Sequence, residues 1–218
     1  LELYDEDFEE RVLEKLEEGP CMLTAFVPAQ RHFTVTVVRD YEDRVTVLPI
    51  SEDVYITGKL KYSIVSRRLN PEWVQELKRI AFKIMDNLSG TTILSIQVKM
   101  GNNGIFYVDG VNQLPLVQQQ FSSAFLGHSM SEILVRVATG LPIEYKDIKE
   151  EMIIVPIYES MIEKASLLTL LKPQWDFEFF QLTSKRPTDV LGVIRLRGAS
   201  SVELLKEIEV TDLFFNVQ

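Results

Sequence analysis

Few residues of this chain are cysteines or histidines, the types that carry thiol chemistry and most zinc sites. The chain has one cysteine, Cys21, and two histidines, His32 and His128, which are too few for a zinc site of four Cys and His ligands. Ser129 and Ser131 have no plausible His and Asp partners, so a hydrolase triad is unsupported. Any chemistry must therefore depend on other polar side chains, and the secondary structure decides which of them meet.

The charge of the chain is concentrated near its start. The 218 residues include 23 basic and 32 acidic ones, for a net charge of −9, and residues 1–20 hold most of the excess acid. Because no basic patch is visible, nucleic-acid binding is disfavoured. The single cysteine, the acidic start and the lack of a long apolar stretch predict a soluble cytoplasmic protein without a membrane partner. The chain begins at Leu1, so we interpret it as a piece of a longer protein.

The first half has the pattern of an acidic helix, a strand meander, a second helix and a hairpin. Gly19-Pro20 ends the first helix, and Phe33, Val35 and Val37 are expected on the buried face of the meander. The predicted strands of the meander are residues 22–27, 32–39 and 44–49. Asn70-Pro71 begins the second helix, and the run 101–104, Gly-Asn-Asn-Gly, predicts a hairpin between strands 92–100 and 105–109.

A third helix is predicted from Ser129, with Glu132 at capping-box spacing, to Gly140. The charged segment 142–151 is a candidate domain boundary. Beyond it, the predicted elements are strands 153–158, 176–182 and 191–196 and a helix from Ser200, with Glu203 as its capping partner, to Ile208. Alternating helices and antiparallel strands predict an α+β fold.

Two motifs give the chain a resemblance to a known family. Residues 24–35 read T-A-F-V-P-A-Q-R-H-F-T-V, and residues 49–64 read P-I-S-E-D-V-Y-I-T-G-K-L-K-Y-S-I. They resemble E-x-F-V-P-F-x-x-E-L-S-V and P-V-x-E-N-x-H-x-x-G-x-L-x-x-S-I of the ATP-grasp ligases that form the ATPase subunit of phosphoribosylaminoimidazole carboxylase, the 5-(carboxyamino)imidazole ribonucleotide synthases. Residues 96–142 and 186–193 are similar to the later hairpin, helix and R-P-G-R-K-x-G-H motif of the same family.

The resemblance implies a fold and a division into domains. Residues 1–142 would form the C-terminal lobe of an ATP-grasp fold, and residues 150–218 a small β-rich domain. Family members also carry an N-terminal domain and the first half of the ATP-grasp fold, with the lysines that hold phosphates, so the resemblance implies a missing N-terminal half. Because family members are typically dimers, it also implies a homodimer.

The resemblance places two nucleotide contacts at Thr24 and His32, where the family has glutamates. A hydroxyl and an imidazole can bond a ribose or an adenine edge, but they do not replace a carboxylate acceptor. For His32, a histidine on the polar face of a strand, a structural role is the favoured interpretation.

The resemblance also places a magnesium site on the hairpin, with one glutamate on each strand, and here those positions hold Gln97 and Gly110. Gln97 is a tolerable substitute, whereas Gly110 offers no ligand. Asp109 and Asn112 flank the gap. Asp109 could compensate only if the strand bulged, because alternation places it on the face opposite residue 110.

The substrate side is changed as well. Lys185 and Arg186 remain as candidate substrate contacts, although a solvated turn is the favoured explanation. The family's phosphate-binding Arg-Lys pair has become Asp189 and Val190. An acid at a phosphate site is unfavourable by charge repulsion.

Two main hypotheses remain, together with a third. The chain is the C-terminal part of a ligase that carboxylates aminoimidazole ribonucleotide with ATP, bicarbonate and magnesium, or it is a degenerate relative that acts as a structural, dimerising or regulatory module. An ATP-grasp ligase of altered specificity, with its metal on Gln97, Asp109 and Asn112, is the third alternative. Gly110 at a metal position and the missing first half of the ATP-grasp fold predict that Mg-ATP is not bound by this chain and that the chain is inactive.

Overall fold

The structure, a computed structural model, describes residues 8–20, 26–113, 127–143, 150–180 and 190–214. These ranges contain both helices and antiparallel strands, which confirms the α+β class. The helices are α1 (Phe8–Glu18), α2 (Pro71–Asp86), α3 (Met130–Thr139), α4 (Ile162–Leu171) and α5 (Ser201–Val210). The strands are β1 (Ala29–Arg39), β2 (Val45–Val47), β3 (Ser51–Ile56), β4 (Lys59–Val65), β5 (Thr92–Gly101), β6 (Phe106–Asn112), β7 (Glu151–Ile157), β8 (Asp176–Phe179) and β9 (Gly192–Gly198).

The strands form one antiparallel sheet in the order β6-β5-β1-β3-β4-β7-β9-β8, with β2 paired to β1. The pairing of β4 with β7, which includes Val65 opposite Met152, joins the strands before and after the segment proposed as a domain boundary. The division into domains at residues 1–142 and 150–218 stays a prediction. One continuous sheet contains strands from both of these parts.

The two faces of β1 are packed differently. Phe33, Val35 and Val37 are buried against α2, as the sequence predicts. On the opposite face, Val38 near the end of β1 packs with Ile133 of α3. The side chains that precede Val38 on this second face are polar, and they form the floor of the candidate site. A third core lies between the C-terminal strands and helices α4 and α5.

Several helix ends are built as the sequence predicts. Asn70 caps α2 by accepting the Glu72 N–H at 2.8 Å, and Ser129 caps α3 by accepting the Glu132 N–H at 3.1 Å. The side-chain cap predicted for the last helix is wrong: the Ser200 side chain makes no capping hydrogen bond. Instead, the buried Glu151 carboxylate accepts the Ser201 N–H at 2.6 Å.

Other sequence predictions need correction. Residues 26–28 are not part of a strand, and the rest of the predicted strand 22–27 lies outside the described residues. Strands β3 and β4 and helix α4 were not predicted; β3 and β4 form a hairpin around Thr57-Gly58, both with positive φ. Among the described helices, none has the length and apolar character needed to cross a membrane.

Candidate functional site

A polar strip runs across the sheet on the face of β1 that α2 does not cover. Its central members are His32, Thr34 and Thr36 of β1, which alternate with the core residues of that strand. Their register partners are Lys99, Gln97 and Ser95 on β5, and Asp53 and Ser51 on β3 for the first two. Most of these groups are buried although they are polar, which is the usual mark of a site and not of a packing face.

A cavity of about 360 Å³ opens on this strip, within the size range of small-molecule sites. Its polar lining consists of His32, Asp53, Tyr55, Gln97, Lys99 and Asp109. Three of these residues, His32, Gln97 and Asp109, are site candidates from the sequence analysis. The structure therefore brings a predicted nucleotide contact and two predicted metal ligands to one cavity.

Asp53 is the most buried acid of the cavity, with 3% of its surface exposed. Its carboxylate accepts hydrogen bonds from the Thr34 hydroxyl at 2.5 Å and the Ser51 hydroxyl at 2.9 Å. Burial raises the pKa of Asp53 to about 6, and these hydroxyls oppose the rise. The group is therefore a carboxylate near neutral pH and a neutral acid in mildly acidic solution.

His32 lies beside Asp53 across the β1–β3 ladder, and its ring is tilted against Tyr55 with 5.0 Å between the ring centroids. Burial lowers the pKa of His32, and the nearby Lys99 ammonium lowers it further, whereas Asp109 raises it. His32 is consequently a neutral imidazole at pH 7, able to donate one hydrogen bond and accept another.

The β5–β6 hairpin contains a bulge at the predicted metal position. Gln97 is paired with Gly110, but Val98 is paired with Val108, so Asp109 has no opposite residue in β5. A bulge of this kind can turn the Asp109 side chain toward the face of the sheet that carries Gln97. Asp109 indeed lines the same cavity as Gln97.

Asp109 is bound to a cation of the chain itself. Its Oδ1 atom lies 2.7 Å from Lys99 Nζ, and the Lys99 side chain is only 26% exposed. The ion pair is diagonal, because the register partner of Lys99 on β6 is Tyr107 and Asp109 lies two residues further along that strand. The negative charge nearest to the predicted metal position is thus already matched by an ammonium group.

The described residues do not fit a magnesium ion at this place. Magnesium requires several hard oxygen ligands in near-octahedral geometry, whereas Gln97 is neutral, Gly110 has no side chain and Asp109 is paired with Lys99. In the part of the chain that the structure describes, no group of three His, Cys, Asp or Glu side chains could hold a metal. No reaction step is therefore assigned to a metal here.

The remaining candidates are spread out or undescribed. Asn112 is opposite Ser95, further along β6, and does not line the cavity. Thr24, Lys185 and Arg186 lie outside the described residues.

The sequence reasoning missed Asp53, Tyr55 and Lys99. For Asp53 and Tyr55 a signal was available, because they replace the Asn and His of the family motif P-V-x-E-N-x-H. Lys99 carries no such signal, since its role depends on the bulge at Asp109. Family positions that are substituted in this chain, including 32, 53, 55 and 97, thus meet at one cavity.

Comparison of the sequence with known proteins agrees with this geometry. Residues 3–109 match the family described as the ATP-grasp domain. The chain is 25% identical over 133 residues to the N5-carboxyaminoimidazole ribonucleotide synthase of Bacillus subtilis (strain 168). The aligned segment covers 61% of this chain and 35% of that protein. The chain thus spans about a third of the length of this curated relative.

Solved structures show the same fold. An N5-carboxyaminoimidazole ribonucleotide synthetase in complex with ADP superimposes with a TM-score of 0.88 at 17% identity, over 97% of this chain and 56% of the other. The Aspergillus clavatus carboxyaminoimidazole ribonucleotide synthase complexed with ATP has a TM-score of 0.88 at 15% identity, over 100% and 59% of the two chains.

The chain has the fold of ATP-grasp proteins, and residues 3–109 match the ATP-grasp domain. Within that class, the chain is similar to the N5-carboxyaminoimidazole ribonucleotide synthases, and the resemblance seen in its motifs is confirmed.

Proposed function

We propose that this chain is a C-terminal portion of an N5-carboxyaminoimidazole ribonucleotide synthase-like ATP-grasp protein that does not perform magnesium-dependent ligation. The carboxylation of aminoimidazole ribonucleotide with ATP and bicarbonate belongs to the family resemblance, and we do not expect it from this chain. The chain acts as a non-catalytic structural or regulatory module that retains the ATP-grasp fold.

The observation that supports this proposal is the pairing of Gln97 with Gly110, beside an Asp109 that is bound to Lys99. Phosphoryl transfer to a carboxylate needs magnesium to neutralise the charge of the phosphates. A site with one neutral amide, one missing side chain and one neutralised acid offers magnesium little to bind.

Calorimetry with ATP tests the proposal directly. The chain is titrated with ATP in a buffer that contains magnesium and again in a buffer that contains EDTA. We expect the heat of ATP binding to be the same in both buffers. The B. subtilis N5-carboxyaminoimidazole ribonucleotide synthase is the positive control for the buffers. Micromolar affinity that requires magnesium would overturn the proposal.

An ATP-grasp ligase of altered specificity is the second candidate, and the bulge that brings Asp109 to the cavity favours it. In that case Asp109 must release Lys99 and bind the metal. Asp109→Ala would then abolish magnesium-dependent ATP binding, while Asp86→Ala, which removes an exposed acid at the end of α2, would leave it intact.

A homodimer and a cytoplasmic location complete the proposal. Exposed apolar side chains of the C-terminal part support self-association, among them Leu170 of α4 at 79% exposure and Phe179 of β8 at 43%. Sedimentation equilibrium tests the dimer, and a monomer at all accessible concentrations would remove it.

A further inference from the structure

We infer that Lys99 is the residue that excludes divalent cations from the cavity, with its ammonium group providing the positive charge that a metal would otherwise bring. This inference rests on the proposed function, in which the chain has no magnesium-dependent ATP site. It goes further by assigning the exclusion to a side chain that is present, and not only to the glutamates that are absent.

The backbone places Lys99 next to the predicted metal position. Gln97 and Lys99 are two residues apart on β5 and therefore project from the same face of the sheet. Lys99 Nζ is 2.7 Å from Asp109 Oδ1, and Asp109 precedes Gly110, the register partner of Gln97. The ammonium group is thus held at the edge of the space that ligands from 97 and 110 would share.

The ion pair is sheltered enough for its charge to matter. The Lys99 side chain is 26% exposed, so its ammonium is screened less than that of a fully solvated lysine. The positive charge acts inside the cavity, because Lys99 itself lines it together with His32 and Gln97. The other charged groups that face the cavity are Asp109 and the carboxyl group of Asp53.

A divalent cation would therefore meet two obstacles. It would lie within a few ångströms of a like charge, and it would have to compete with Lys99 for the Asp109 carboxylate. A single unit of positive charge at this range changes the affinity for a divalent ion by about tenfold or more. Restoring the two glutamates alone should consequently not restore a full metal site.

Manganese binding, measured from the electron paramagnetic resonance signal of free Mn²⁺, separates the two effects. The proteins are the unaltered chain, Q97E/G110E, Q97E/G110E/K99M and the control Q97E/G110E/K78M. Lys78 is exposed on α2, on the other face of the sheet, so K78M removes the same charge away from the cavity. Q97E/G110E/K99Q is a second, polar version, and circular dichroism verifies that each variant is folded.

We expect no Mn²⁺ binding by the unaltered chain below about 1 mM, the weak limit of protein sites for hard divalent ions. Q97E/G110E should bind Mn²⁺ weakly. Adding K99M or K99Q to this double variant should tighten Mn²⁺ binding about tenfold or more, whereas adding K78M should leave the affinity unchanged. Equal affinity with and without K99M and K99Q would overturn this inference and leave the proposed function standing. Micromolar Mn²⁺ binding by the unaltered chain would overturn both.

Discussion

Gln97 and Gly110 are direct partners across the β5–β6 ladder, and a Cβ atom on Gly110 would lie 3.1 Å from Gln97 Oε1. The two positions that the family resemblance assigns to one metal site therefore adjoin in this chain as well. Only the second side chain is missing. What remains around them is a set of charged and titratable groups, of which Asp53 is buried, whose behaviour can be measured without knowing a ligand.

Asp53 should make the stability of the chain depend on pH. Its pKa is raised from 3.8 to about 6 in the folded state, so its contribution is fully present below about pH 3.8 and is lost as the pH rises through about 6. Relative to Asp53→Asn, the free energy of unfolding of the unaltered chain should fall by on the order of 3 kcal/mol between about pH 4 and pH 7. Urea unfolding at both pH values measures the difference.

Asp86 provides the control for this comparison, because Asp86→Asn removes an exposed charge at the end of α2. That variant should follow the unaltered chain at both pH values. A D53N variant with the same pH dependence as the unaltered chain would contradict the account of Asp53 as a buried carboxylate.

His32 should titrate below its ordinary pKa of 6.5, because burial and the Lys99 ammonium both disfavour the imidazolium. Lys99→Met should raise the pKa of His32, and Asp109→Asn should lower it further, since the Asp109 charge favours the protonated ring. Proton NMR of the imidazole signals measures both shifts, with His128 as the internal reference. A His32 pKa that does not move in K99M would show that Lys99 does not act on the cavity.

Arg39 should matter for stability although it lies far from the cavity. Its guanidinium group donates hydrogen bonds to the carbonyl oxygens of Leu88 and Met85, at 2.5 and 2.7 Å, just after and within the last turn of α2. Arg39→Met should lower the free energy of unfolding by about 2 kcal/mol, because the buried Met85 carbonyl and the part-buried Leu88 carbonyl lose a charged donor. Denaturant unfolding measures this.

Arg79 is the matched control for Arg39. It pairs with Glu76 on the exposed side of α2, and because exposed ion pairs contribute little, Arg79→Met should lower the free energy of unfolding far less than Arg39→Met does. Equal losses for the two variants would refute the role of Arg39 at the end of α2.

Glu151 should stabilise the junction between β4, β7 and α5. Burial raises its pKa, but the hydrogen bonds from the Ser201 N–H and the Ser66 hydroxyl outweigh burial, and the pKa is lowered. Glu151→Gln should therefore lower the free energy of unfolding by about 1 to 3 kcal/mol at neutral pH.

The loss in E151Q should shrink in acid, because a lowered pKa stabilises the folded state above the unfolded pKa and loses that effect as the pH falls through the folded pKa. Thermal unfolding at several pH values follows this trend. Glu203→Gln, an exposed change on α5, should show no such trend, and a trend of equal size there would remove the explanation.

Local signals in the sequence predicted the parts of the fold that local bonds define. Asn70 and Ser129 cap their helices with their own side chains, and the 101–104 turn closes a hairpin between adjacent strands. Helix α4 was missed because it lacks one clear apolar face: Leu167 and Leu170 are exposed while Leu168 is buried. Its packing against the sheet, and not its periodicity, defines it.

The candidate site was only half predictable for a similar reason. Motif comparison found His32 and Gln97, and it contained the substitutions at Asp53 and Tyr55. Strict alternation along a strand places Asp109 on the wrong face, because a bulge depends on how two strands pair. The Lys99–Asp109 ion pair therefore became visible only in the three-dimensional structure.

The pairing of β4 with β7 affects how the chain emerges during synthesis. Val65 meets Met152, so β4 remains an unprotected sheet edge until residues far along the chain have been made. Exposed edges recruit other chains, and the cavity strand β3 pairs directly with β4. We expect a fragment that ends at residue 143 to aggregate, as measured by light scattering, whereas the chain of 218 residues stays dispersed. If the fragment does aggregate, the C-terminal strands act as the cover for the β4 edge during synthesis.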